Sequence, residues 1–138
     1  MKINKTLFYI LNFTWGIIMN IIGAVVAAIV TSFGAKPEKH AGSVLIKVGH
    51  NWGGLSLGIF CFVCHEAGKR TLNHEFGHSI QNALYGPLFP FIVAIPSAIR
   101  YWTFTINDLK GIQNEGNYDD AWFEGQATSW GTENAKYW

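Results

Sequence analysis

The sequence predicts a mainly α membrane protein with a small β-hairpin, an α+β arrangement in one domain. Three observations predict it. No charged residue occurs from Leu7 to Phe33. Residues 43–64 alternate with a period of two. The pentapeptide His74-Glu75-Phe76-Gly77-His78 begins a run with helical character. Composition agrees. A chain of 138 residues is one domain by length, and only 14% of it is charged, with a mean hydropathy of +0.16. A net charge of +1 with scattered Lys and Arg argues against a nucleic-acid partner, which would require a basic patch.

Residues 7–33 are expected to form an N-terminal transmembrane helix, since about 20 apolar residues span a bilayer. A cleaved signal peptide is the rival reading, but the apolar run is too long and ends without a small-x-small site. Asn12 and Asn20 are expected to face protein rather than lipid. Lys2 and Lys5 balance Lys36 and Lys39 across this segment, so charge does not orient it. Lys36 to His40 reads as a polar break. Residues 43–64 read as a β-hairpin turning at Asn51-Trp52-Gly53-Gly54, its second strand leading towards the His74 helix.

That helix is expected over 71–84, capped by Thr71 or Asn73 and stopped by Tyr85-Gly86-Pro87. Residues 87–104 form a second apolar segment. With Pro87, Pro90 and Pro96 it reads as a kinked or re-entrant membrane segment, Arg100, Tyr101 and Trp102 lying at the interface. Residues 107–120 read as a loop, and 120–131 as a helix bearing Glu124.

H-E-x-x-H on a helix puts His74 and His78 on one face, where two imidazoles grip one ion. Glu75 lies beside them, placed to take a proton from a water activated by Zn²⁺. A catalytic zinc site needs a third ligand. Glu124, among Trp122, Phe123 and Ala127, is the best candidate, because an acid on a partly buried face needs a partner. Asp119 and Asp120 remain alternatives. Gln81, one turn beyond His78, is a candidate partner for a ligand. Tyr118 and Tyr101 are unranked candidates to assist the oxyanion.

Cys61-Phe62-Val63-Cys64-His65 fits the c-type haem pattern C-x-x-C-H. On a strand, however, positions three apart face opposite ways, so two buried free cysteines are expected instead. His65 to Lys69 imitates H-E-x-x-H but ends in a lysine. His40 and His50 are isolated.

The run His74-Glu75-Phe76-Gly77-His78-Ser79-Ile80-Gln81 resembles the H-E-[FY]-G-H-[ST]-x-Q motif of small bacterial membrane proteins of gluzincin type. Leu84 to Phe89, Ala94 to Ser97, Trp52-Gly53-Gly54, Ser56-Leu57-Gly58 and Trp122-Phe123-Glu124 are similar to further motifs of that group. Gln126, Thr128 and Ser129 depart from it. The resemblance implies Glu124 as third zinc ligand and a metallopeptidase-like site in a bacterial inner membrane. It implies no particular substrate.

The sequence therefore leads to an integral-membrane zinc metallopeptidase. Its partners would be a peptide or membrane-protein substrate, the lipid bilayer, and a membrane partner or second copy. The alternative is a catalytically silent, metal-stabilised membrane scaffold or partner subunit.

Overall fold

A computed structural model describes all of residues 1–138. Its helices are α1 (Lys5–Phe13), α2 (Ile17–Ser32), α3 (Lys69–Tyr85), α4 (Ile95–Lys110) and α5 (Trp122–Ala135). Its strands are β1 (Pro37–His40), β2 (Ser43–Lys47), β3 (Gly54–Leu57) and β4 (Phe60–Val63). A 3₁₀ turn (Gly86–Leu88) and a π-helical turn (Pro90–Ala94) precede α4, and a 3₁₀ turn (Tyr118–Asp120) precedes α5.

The membrane-protein fold class is corrected by these elements. No single helix is long and apolar enough to cross a membrane. The expected span over 7–33 is two helices bent by 86°. The bend has local causes. The Thr14 hydroxyl donates back to the carbonyl of Ile10 at 2.7 Å, and Gly16 lies where a Cβ would sit 2.8 Å from Asn82 Nδ2. Trp15 Nε1 donates to Ala83 O, and Asn82 Nδ2 donates to Asn12 Oδ1 and Gly16 O. Asn12 and Asn20 are both buried, and Asn20 joins the elbow to the sheet by accepting from Ile59 N at 2.7 Å. Straight α2 rises only about 24 Å over its 16 residues, short of the ~30 Å hydrocarbon layer.

The hairpin expected over 43–64 is corrected too. The sheet order is β1-β2-β4-β3, and β2 pairs with β4 in parallel. Two hairpins, β1–β2 and β3–β4, therefore lie side by side, and the supposed polar break contributes β1. The central strands are buried on both faces, so alternation in sequence does not reveal their pairing. Ile46 and Phe62 pack towards Ala27 of α2, while Leu45, Cys61 and Val63 pack towards Leu72 of α3. The β3–β4 turn requires glycine: Gly58 has φ +67°, and a Cβ there would meet Asn20 Oδ1.

The sheet thus lies between α2 and α3, and α5 packs along the far side of α3. Ten of the 17 residues of α3 are buried, which makes it the central helix. It starts after Gly68, earlier than a Thr71 or Asn73 cap; Asn73 is instead buried and bonded to His40 Nε2 at 2.9 Å. The segment 87–104 likewise holds no helix long and apolar enough to cross a membrane. The π turn accommodates Pro90, whose missing N–H would leave a gap in an α-helical ladder. Pro96 lies in the first turn of α4, directly after the π turn. α4 then runs six residues past the expected end, stopping at Gly111 with φ +70°.

Candidate metal centre

His74 and His78 leave α3 one turn apart, their rings at 88° with centroids 4.8 Å apart. Glu124 enters from the first turn of α5. Its Oε2 lies 3.0 Å from His74 Nε2 and 3.3 Å from His78 Nε2. The carboxylate is fully buried, and apart from these two imidazole nitrogens neither oxygen has a hydrogen-bond partner. A buried carboxylate left without donors carries a large desolvation cost. It faces the Nε2 atoms of both imidazoles, the position that a bound cation would share with them. One ligand atom from each of His74, His78 and Glu124 lies within 4.8 Å of the others, so the three could hold a metal ion. Burial pushes the Glu124 carboxyl up, but the adjacent His74 and His78 outweigh it and hold the group below the ordinary carboxylate range.

Two glycines bring α5 this close. A Cβ on Gly77 would lie 1.8 Å from Ala127 O, and one on Gly131 would lie 1.7 Å from Asn73 O. The backbones of α3 and α5 touch at these points, which sets Glu124 within reach of both histidines.

Each imidazole is held through its other nitrogen. His78 Nδ1 lies 2.7 Å from Gln81 Oε1, and Gln81 Nε2 in turn donates to Phe123 O and Gln126 Oε1. Gln81 thus bonds the His78 nitrogen that faces away from Glu124. His74 Nδ1 lies 2.7 Å from Thr128 Oγ1, which donates to Asp119 Oδ2 at 2.8 Å. Arg70 holds that same oxygen at 2.7 Å.

Glu75 is buried on the wall of the cavity that His74 and His78 also line. Ser56 Oγ donates to Glu75 Oε2 at 2.6 Å and also lies 2.8 Å from its main-chain oxygen. Gly54 is close enough that a Cβ would sit 2.5 Å from Glu75 Oε1. The cavity measures about 740 Å³ and runs between β3, with Gly53, Gly54 and Leu55, and the α4 face bearing Ser97 and Tyr101. β3 is an outer strand, paired only on its β4 side. Tyr101 and Tyr118 both line this space. Tyr101 Oη accepts from Gly53 N at 3.3 Å. Burial, and then the Glu124 charge, push the Tyr118 hydroxyl up, so it stays a donor.

The alternatives for the third ligand are engaged elsewhere. Asp119 serves Thr128 and Arg70, and Asp120 Oδ2 accepts from Asn117 N. Cys61 and Cys64 are buried and unpaired, the arrangement expected for a strand. Cys61 contacts Ser56 and Ser79, and burial pushes its thiol up to about 11. His50 pairs with Glu66, and His65 with Gly49 O.

Sequence reasoning missed Ser56, Gly54, Thr128 and the role of Asp119. Thr128 carried a signal: it lies four residues after Glu124 and so on the same helix face. Ser56 and Gly54 were marked only by the resemblance of Trp52-Gly53-Gly54 and Ser56-Leu57-Gly58, and no spacing ties them to Glu75, about 20 residues away in the chain. Comparison with family models, curated proteins and solved structures finds no match to this chain.

Proposed function

We propose that this protein is a zinc metallopeptidase of gluzincin-like type, with His74, His78 and Glu124 as ligands and Glu75 as general base. The observation that carries the reading is the buried, unpartnered Glu124 carboxylate facing two imidazole nitrogens beside a second, well-held glutamate. Zinc is favoured among metals by the His₂Glu donor set. The 3.0 and 3.3 Å donor separations also approach the ~3.3 Å edge of a tetrahedron with ligands at about 2.0–2.1 Å. When bound, zinc supplies Lewis acidity that lowers the pKa of a water and polarises a carbonyl.

The remaining work falls to the chain itself. Ser56 takes one Glu75 oxygen and leaves the other to accept a proton from the attacking water and pass it to the leaving amine. Tyr118, kept protonated, or Tyr101 can donate to the developing oxyanion. The free edge of β3 offers backbone pairing to an extended peptide lying in the cavity.

The test is metal content of the purified protein, together with cleavage of a quenched-fluorescence peptide library. Stoichiometric zinc is expected in the native chain and in Glu75→Gln, and none in His78→Ala or Glu124→Ala. Glu75→Gln is expected to lose cleavage by at least about 10²-fold, the usual contribution of a general base. Retained cleavage in Glu75→Gln would overturn the mechanism. A second reading, a non-catalytic metal-stabilised partner subunit, is favoured by the exposed apolar faces of α2 (Ile18, Ile21, Val25) and α4 (Ile99, Leu109). Zinc bound with no library peptide cleaved would select it.

A further inference from the structure

The hydroxyl of Thr128 has one proton and faces two groups, His74 Nδ1 at 2.7 Å and Asp119 Oδ2 at 2.8 Å. An ionised carboxylate can only accept, so the proton goes to Asp119. The Thr128 oxygen can then only accept from His74, which requires a hydrogen on Nδ1. Nε2, 3.0 Å from Glu124 Oε2, is then the nitrogen at which a proton and a cation compete. Without Asp119 the hydroxyl is free to rotate and donate to Nδ1. The hydrogen of a neutral His74 would then sit on Nε2, pointing at the Glu124 carboxylate and blocking ligation.

We propose that Asp119, acting through the Thr128 hydroxyl, locks His74 in its Nδ1–H tautomer and so prepares Nε2 as a metal ligand. Asp119 and Thr128 are positioning residues, and neither touches substrate. Arg70 holds Asp119 in place from the surface, its side chain 77% exposed against 23% for Asp119. His78 needs no such relay. Gln81 Oε1 can only accept, because its amide nitrogen is already committed to Phe123 O and Gln126 Oε1. The two histidines thus reach the same tautomer by different means: one by a fixed amide, the other by a hydroxyl that a carboxylate must orient.

The inference rests on the metal centre proposed above, and its test separates the two. The tautomer of His74 is read in the metal-free full chain by long-range ¹H–¹⁵N correlation at about pH 8.5, above the ordinary imidazole range. Native protein is expected to show Nδ1–H, and Asp119→Ala and Thr128→Val to shift His74 towards Nε2–H. Thr128→Ser keeps the hydroxyl and is expected to keep Nδ1–H. Zinc affinity, measured by chelator competition, is expected to fall about 10–100-fold in Asp119→Ala and Thr128→Val, with Thr128→Ser restored to within about threefold.

Asp108→Asn removes a charge from the same cavity without a bond to His74, and is expected to leave both readouts unchanged. If Asp119→Ala does not fold, the Thr128→Val and Thr128→Ser pair decides. Nδ1–H persisting in Thr128→Val or Asp119→Ala would overturn the proposal. So would an equal affinity loss in Asp108→Asn, since bulk charge would then account for it. A native chain with His74 in Nδ1–H that takes up no zinc would leave the relay standing and remove the metallopeptidase reading.

Discussion

At position 77 the absence of a side chain decides the geometry of the whole centre. The α5 backbone occupies the space of the missing Cβ, 1.8 Å from Ala127 O, and Glu124 lies one turn before that contact. Gly77→Ala is therefore expected to push α5 outwards and cost about 1–3 kcal/mol, the usual range for overpacking. Denaturant unfolding would show the stability loss, and elemental analysis the accompanying loss of metal. A stable Gly77→Ala protein with full metal content would contradict this account of the glycine. At this scale the candidate ligands were legible because helical spacing alone puts His74 and His78 together and sets Glu75 beside them. Glu124 was legible as an acid in apolar company. The groups that hold them were not. A hydrogen bond such as Ser56 to Glu75, or Thr128 to Asp119, leaves no periodicity in the chain.

Between α1 and α2, three buried asparagines build an elbow where sequence suggested a continuous rod. Asn82 donates to Asn12, Asn20 donates to the Asn12 main-chain oxygen, and Asn12 donates to Phe8 O. Asn12→Leu would remove the acceptor from Asn82 and strand buried donors. The expected cost is about 1–3 kcal/mol, read as a lowered melting temperature. An unchanged melting temperature would mean that the elbow is set by Gly16 and Trp15 alone. The bend was hidden because hydropathy averages over a window, while Asn12, Thr14, Gly16 and Asn20 act one at a time. By contrast, α3 was legible nearly to its ends, whereas α5 runs on to Ala135, past the expected end at 131. The strand-forming character of 43–64 was legible as well. Its parallel pairing was not, because strands buried on both faces look alike whichever neighbour they join.

Across the whole molecule, sparse charge reflects exposed apolar faces on α2 and α4, beside a core that is itself rich in polar hydrogen bonds. The ends of the chain close that core. Trp138 packs on Phe8 and Phe76 with ring centroids 4.9 and 5.1 Å away, so it touches the helix that carries His74 and His78. Trp138→Ala is expected to destabilise the fold by about 3 kcal/mol or more, as for other large core truncations, and a thermal melt checks it. Metal should couple to the fold in the same way. Zinc at a hundred times its dissociation constant is expected to add about 2.7 kcal/mol of stability, seen as a melting shift that Glu124→Ala abolishes. No shift in the native chain would argue that the buried carboxylate has another counterion.

The π turn at Pro90–Ala94 fixes the helical phase of everything after it. One residue in an α-helix is about 100° of rotation, and a π turn amounts to a single extra residue. In the present phase, Ala94, Ser97, Ala98 and Tyr101 form one wall of the cavity, while Ile95, Ile99 and Leu109 look outwards. Deleting any one residue of the turn would swing the helix by that angle and carry Tyr101 off Gly53. The chain would keep its composition and nearly all its local preferences, yet it would present a different wall to whatever enters. The tolerance of this stretch is thus set by residue count as strictly as by residue type.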